Sequence, residues 1–332
     1  MSVLHALQTR AAPFVALRRD LHRHPELGLH EFRTSQVLAE QLESWGYSVT
    51  RGLATTGLVA QLKRGNGGKR LGLRADMDAL PIHETNNFEH CSVHAGVMHA
   101  CGHDGHTAML MAAAQYIAQE VEFSGTLNLI FQPAEEHPGG AQIMIKEGLF
   151  ERFPCDAIFA AHNMPGVAAG ELVFIEGPAM ASSDDVTITL TGVGGHGAMP
   201  HRAQDPIVAA AAIVMTLQTI VSRNVDPQHT AVITVGSLVA GKANNVIPAS
   251  ARLELSVRSL DREVRDLLQE RITTLVTAQA QSLGVLAHID YKRDYPVLVN
   301  TAAETELARQ VGTELLGAER ITRQGRPLTG SE

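Results

Sequence analysis

Apolar positions recur at helical spacing over residues 2–24, at Leu4, Leu7, Phe14, Leu17 and Leu21, and the run stops at His24-Pro25. Residues 31–45 read as a second helix with Gly46 as its stop signal. Residues 47–51 and 57–63 read as a strand pair, and Asn66-Gly67-Gly68 as a turn. A recurring pattern follows. A short apolar strand over 70–74 runs straight into Asp76 and Asp78. The Cys101-Gly102-His103 loop then feeds a helix over 108–120. The buried-type strand 126–131 precedes Gln132-Pro133-Ala134-Glu135-Glu136, and the strand 156–161 precedes His162-Asn163. Continuous apolar strands alternating with helices predict an α/β fold, with a mostly parallel sheet covered by helices on both faces. Ligands of such sheets bind beyond the carboxyl ends of the strands, so one shared site is expected there.

From about Ser183 the texture changes. Residues 185–191 alternate apolar and polar, as a half-exposed strand does. A glycine-rich loop with two histidines spans 192–201, and a strongly apolar helix spans 206–222. Strands over 231–239 and 251–258, a helix capped by Asp261, and a strand over 285–292 complete a βαββαβ order, the ferredoxin-like arrangement. The predicted organisation is a first domain of residues 1–183 and 294–332, interrupted by an inserted domain of residues 184–293. The helix over 304–316 is expected to return to the first domain.

Bulk properties narrow the function. A net charge of −8, spread along the chain, argues against nucleic acid as the main partner. No apolar run reaches the roughly 20 residues of a membrane span, and the N-terminus lacks the pattern of a signal peptide. Cys91, Cys101 and Cys155 are too few and too scattered for a disulfide framework. A cytoplasmic protein is expected, and 16 histidines raise the prior for a metal enzyme.

Cys101, His103, Glu136 and His162 form a plausible ligand set. Thiolate, imidazole and carboxylate suit zinc, and the mixture also admits manganese, cobalt or nickel. The adjacent Glu135 and Glu136 can point in different directions, so one can bind metal while the other takes a proton from water. Asp76 and Asp78 read either as ligands or as partners that orient a histidine. His22, His24 and His30 read as surface or packing residues. His196 on the glycine-rich loop could hydrogen-bond an oxyanion. Arg258 could pair with a substrate carboxylate.

Several segments together resemble the M20 metallopeptidase family. They are His99-Ala-Cys101-Gly-His103-Asp104-Gly-His106-Thr, Phe131-Gln-Pro-Ala-Glu135-Glu136, Ala161-His162-Asn163 and Gly195-His196-Gly-Ala-Met-Pro-His201. Arg19-Asp-Leu-His22-Arg-His24-Pro-Glu26-Leu-Gly28 and Asp76-Met-Asp78-Ala-Leu-Pro-Ile also fit. The nearest branch is the amidohydrolases, which include hippurate hydrolase, N-acyl-amino-acid amidohydrolases and plant auxin-conjugate hydrolases. The resemblance implies a zinc-peptidase-like catalytic domain with two divalent metals, zinc or manganese first. It also implies an inserted lid that often dimerises, hence a homodimer or higher homo-oligomer. Cys101, His103, Glu136 and His162 would be the ligands and Glu135 the general base acting on a metal-activated water. His196 would stabilise the tetrahedral intermediate, often across a subunit boundary, and Asn245 would contact an N-acyl amino acid substrate. The family carries one further metal-binding histidine beyond a Gly-Ser-Glu-like segment. The chain stops within that segment at Gly330-Ser331-Glu332, so this ligand is expected to lie outside the sequence.

The rival readings are a dipeptidase or N-acetyl-diaminopimelate-type deacetylase of the same family, and a thiol hydrolase with Cys101 as nucleophile and His103 as base. A further rival is an inactive chain that acts only through its dimerising insert.

Overall fold

The computed structural model describes residues 2–322 and 325–331; Glu332 therefore lies outside the described residues. Two compact units divide the chain, Met1–Ala169 and Gly170–Glu332.

The first unit opens with α1 (Val3–Thr9), α2 (Ala11–Arg23) and α3 (Phe32–Ser44). The single helix expected over 2–24 is two helices, broken at Arg10. Pro13 explains the break. It has no N–H to give to the carbonyl four residues back, and its ring crowds that carbonyl, so it is tolerated only in the first turn of a new helix. Next come β1 (Ser48–Leu53), β2 (Gly57–Arg64), β3 (Arg70–Asp76), α4 (His103–Glu120), β4 (Gly125–Gln132), α5 (Gly140–Lys146), α6 (Leu149–Arg152) and β5 (Ala157–Ala160). The five strands form one mixed sheet in the order β1-β2-β4-β3-β5. The β1–β2 and β2–β4 pairings are antiparallel, whereas β3 is parallel to both β4 and β5. In that parallel part Asp76 lies opposite Gln132, and Arg74 opposite Ala160. Three strands therefore end side by side, and the segments carrying Asp78, Glu135-Glu136 and His162 leave from one edge. The core beneath it is apolar: Leu38 and Leu42 of α3, Met111 and Ala114 of α4, and Leu129 and Phe131 of β4 are fully buried.

The second unit contains β6 (Leu172–Val173), β7 (Gly177–Met180), β8 (Ser182–Thr191), β9 (Gly195–His196), α7 (Pro206–Arg223), β10 (Ala231–Ala240), β11 (Val246–Ile247), β12 (Ser250–Ser259), α8 (Arg262–Ser282), β13 (Leu286–Arg293), β14 (Leu298–Asn300), α9 (Ala302–Leu316) and β15 (Ile321–Thr322). Four strands make an antiparallel sheet in the order β10-β12-β8-β13. Both α7 and α8 contribute to the core on this sheet, through Ile213, Leu217 and Ile220 on one helix and Leu268, Ile272 and Val276 on the other. Each such side chain stabilises by roughly 1.5–3 kcal/mol when fully buried. With 18 residues and a mean hydropathy of 1.5, α7 is long and apolar enough to be compared with a membrane span, closer than its sequence suggested. Its inward face nonetheless belongs to this core. Asp205 and Asp261 cap the two helices by accepting from the first-turn amides of Ile207, and of Glu263 and Val264.

Candidate metal centre

The Cys-x-His loop enters its helix earlier than expected. His103 is the first residue of α4, so the helix begins at 103 rather than 108, with Gly102 at its N-cap in the left-handed region at φ 96°. A side chain at Gly102 would put a Cβ 2.3 Å from Asn163 Oδ1. Glycine is needed both for that conformation and to let the His162-Asn163 segment close onto the loop. Once the helix starts at His103, His106 falls one turn away on the same face.

His103 donates from Nδ1 to Asp78 Oδ1 at 3.2 Å, and His162 donates from Nδ1 to the carbonyl of Asn163 at 2.5 Å. A carboxylate or carbonyl can only accept, so each Nδ1 carries the proton and each Nε2 is directed elsewhere. The Nε2 of His162 lies 3.3 Å from Cys101 Sγ. The Nε2 of His103 is buried and has no hydrogen-bond partner among the described residues. Around it stand Glu135 Oε2 at 3.9 Å, Glu136 Oε1 at 4.0 Å and Asp76 Oδ2 at 3.9 Å. Three sets of donor atoms each lie within 4.8 Å of one another: Cys101, His103 and His162; His103, Glu135 and Glu136; and Asp76, His103 and His106. His103 is common to all three. A buried, partnerless imidazole nitrogen among thiol and carboxylate donors fits a divalent ion, and the mixed N, S and O donors suit zinc or a similar metal.

The electrostatics agree. Burial alone would lower the His103 imidazole, but Asp78, Cys101 and Asp76 beside it outweigh burial and push it up to about 11. The pocket favours positive charge at that nitrogen, and a metal ion meets the same demand as a proton. The His103 imidazole favours the Cys101 thiolate, yet burial and the Glu136 carboxylate keep the thiol above its ordinary range. A thiol held up in this way is a poor free nucleophile and becomes a good ligand when a cation displaces its proton. Asp76 is held well below the carboxylate range: burial raises it, but the His106 hydrogen bond and the Arg74 charge win. Those contacts are 2.7 Å from His106 Nδ1 and 2.9 Å from Arg74 Nη1. His106 Nε2 in turn accepts from the Asn163 amide at 3.0 Å.

Asp78 does more than face a histidine. Its two oxygens also accept from the amides of Glu135 at 2.9 Å and Glu136 at 3.0 Å. One carboxylate thus fixes both the imidazole and the segment bearing the two glutamates. His22, read from sequence as a surface or packing residue, is instead buried between two acids. Its Nδ1 lies 3.0 Å from Asp104 and its Nε2 3.2 Å from Glu84. The Asp104 hydrogen bond raises its pKa. Partners 82 and 62 residues away leave no trace in local spacing.

The remaining sequence candidates lie in the second unit. His196 on β9 pairs with Val246 on β11, and the Gly197 amide donates to the Asn245 carbonyl at 2.8 Å. The exposed His196 and the exposed Asn245 are thereby neighbours. Arg258 is half-buried on β12 and donates to the hydroxyls of Ser256 at 3.1 Å and Ser331 at 2.7 Å.

Residues 72–332 match peptidase family M20/M25/M40. Hippurate hydrolase of Campylobacter jejuni is 44% identical over 332 residues, which are all of this chain and 86% of that protein. The chain belongs to the M20 family. It is a metal-binding hydrolase acting on amides, as that membership and the donor cluster together show. An N-acetyl-L-cysteine deacetylase of Bacillus subtilis is 37% identical over 304 residues, covering 91% of this chain and 73% of that one. A Bacillus subtilis crystal structure described as a dinuclear metal-binding M20 peptidase superposes with a TM-score of 0.81 at 32% identity, covering 99% of this chain and 84% of that one.

Proposed function

We propose that this M20 hydrolase cleaves the amide of N-acyl amino acids, of the hippurate or N-acetyl kind, to a carboxylic acid and a free amino acid. The observation that carries the reading is the convergence of Cys101, His103, Glu135, Glu136 and His162 around the partnerless His103 Nε2. Cys101, His103, Glu136 and His162 would hold two divalent ions, zinc or manganese. Such ions polarise the substrate carbonyl and make water acidic enough to attack at neutral pH. Glu135, 5% exposed, takes a proton from the water oxygen as it bonds to the carbonyl carbon. It delivers that proton to the nitrogen as the C–N bond breaks. Asp78 keeps His103 in the Nδ1–H form and holds Glu135 in place; Asp76 does the first of these for His106. His196 is assigned to the oxyanion and Asn245 to the substrate, within an insert over residues 184–293 that also serves in oligomerisation. Arg258 is assigned to the substrate carboxylate.

The test is Glu135→Gln. It is expected to retain metal and to lose about 10²–10⁴-fold in kcat; full turnover would defeat the assignment. A panel of N-benzoyl, N-acetyl and indole-acetyl amino acids ranks the acyl groups. Turnover that survives a chelator but not iodoacetamide would point to Cys101 as a nucleophile instead.

A further inference from the structure

Glu31 was read from the sequence only as the start of a helix. It is fully buried, and at the N-cap of α3 its carboxylate makes no capping hydrogen bond to that helix. One oxygen accepts from the Ala134 amide at 2.8 Å and the other from the Thr56 hydroxyl at 2.5 Å. The next two amides, Glu135 and Glu136, go to Asp78. Three successive N–H groups are therefore each received by a buried carboxylate, one by Glu31 and two by Asp78. The residue at which the chain turns from one acid to the other is Ala134, a non-glycine residue in the left-handed region at φ 50°. That conformation is costly for alanine and persists where surrounding contacts over-determine it. Gly28 lies close against the same turn: a side chain there would put its Cβ 2.5 Å from the His137 carbonyl and 2.9 Å from Ala134 Cβ. The segment Gly28–Glu31 is thus a rest against which the 134–137 turn is set.

We infer that Glu31 is a positioning residue, which through the Ala134 amide and the Thr56 hydroxyl holds the turn that aims Glu135 and Glu136 into the metal centre. It touches neither substrate nor metal. The inference rests on the roles proposed above for those two glutamates.

The test compares Glu31→Leu with Glu31→Gln in the full chain. Leucine removes the acceptor, whereas glutamine keeps an acceptor oxygen for Ala134. Glu31→Leu is expected to lower kcat by about 100-fold, the cost of a misplacement near 1 Å, with KM within about threefold. Its metal content after dialysis against a chelator, read by elemental analysis, should fall by about 10-fold in retained ion. Glu31→Gln should restore most of both, since the glutamine side-chain oxygen can accept from the Ala134 amide as the Glu31 oxygen does. Should the leucine variant fail to melt cooperatively, Glu31→Asp replaces it; its carboxylate is one methylene short of Ala134, and losses of about 10-fold in kcat are expected. A soluble leucine variant, or in its place the aspartate variant, with wild-type kcat and wild-type metal retention overturns the inference. Glu135→Gln is assayed in parallel. If it is inactive while the Glu31 variants are fully active, only the inference falls. If all are fully active, the functional reading falls with it.

Discussion

In the second unit Asp184 accepts from Arg265 Nε at 2.9 Å and from the Tyr291 hydroxyl at 2.8 Å, beside the buried Ser182, Ser183 and Ser259 and an apolar core. That cluster closes on itself. In the first unit the buried acids Glu31, Asp76, Asp78 and Asp104 face backbone amides, imidazoles, the Thr56 hydroxyl and the Arg18 and Arg74 guanidiniums, and His103 Nε2 and Asp104 Oδ1 have no partner among the described residues. Burial of charge is costly in either place. What differs is whether the cluster is complete. A closed cluster serves cohesion, whereas an open one that is rigidly braced on its outer side is organised around something that binds.

This contrast can be broken most severely by removing the ion. A chelator is expected to abolish amide hydrolysis, and zinc or manganese to restore it, while denaturant unfolding of the second unit's core stays unchanged. Turnover in the fully metal-depleted enzyme would show that the open cluster is merely structural. The next largest effect falls on stability. Asp184→Ala leaves Arg265 buried without its partner, so a loss of about 3–5 kcal/mol is expected in urea unfolding. The metal content of the folded fraction should be unaltered. Ordinary stability in that variant would mean that the second unit's cluster does not supply the cohesion assigned to it. A finer test is Asp78→Ala, which frees the His103 ring and two amides of the 135–136 segment. It should weaken metal binding by about 10–100-fold in competition with a chelator. Unchanged affinity would place the orientation of His103 elsewhere.

The strand ends were legible because an apolar run followed directly by acid or histidine is a local pattern. Gln132-Pro-Ala-Glu135-Glu136 and His162-Asn163 both follow such runs, and both segments lead into the donor cluster. The start of α4 was not legible. Its first turn, His103-Asp-Gly-His106, is polar and contains glycine, so helical periodicity appears only after Thr107, while the left-handed cap at Gly102 decides where the helix begins. The antiparallel half of the first sheet was visible as a strand pair, but its junction with β4 depends on long-range pairing. Glu31 was invisible for a similar reason: its partner Ala134 is 103 residues away. The same holds for His22. Spacing rules find donors that end elements, not acids that reach across the fold to hold them.

The partnerless nitrogen of His103 also has a consequence for how the protein matures. Desolvating that nitrogen costs free energy until something occupies its lone pair. Part of the affinity for an ion is therefore folding free energy for the strand-end loops. Chain made in metal-poor medium should assemble its sheet, its helices and the braced 134–136 turn, yet unfold at lower denaturant and yield to protease sooner than the loaded form. Supply of the ion would then govern how long the enzyme lasts as well as how fast it works.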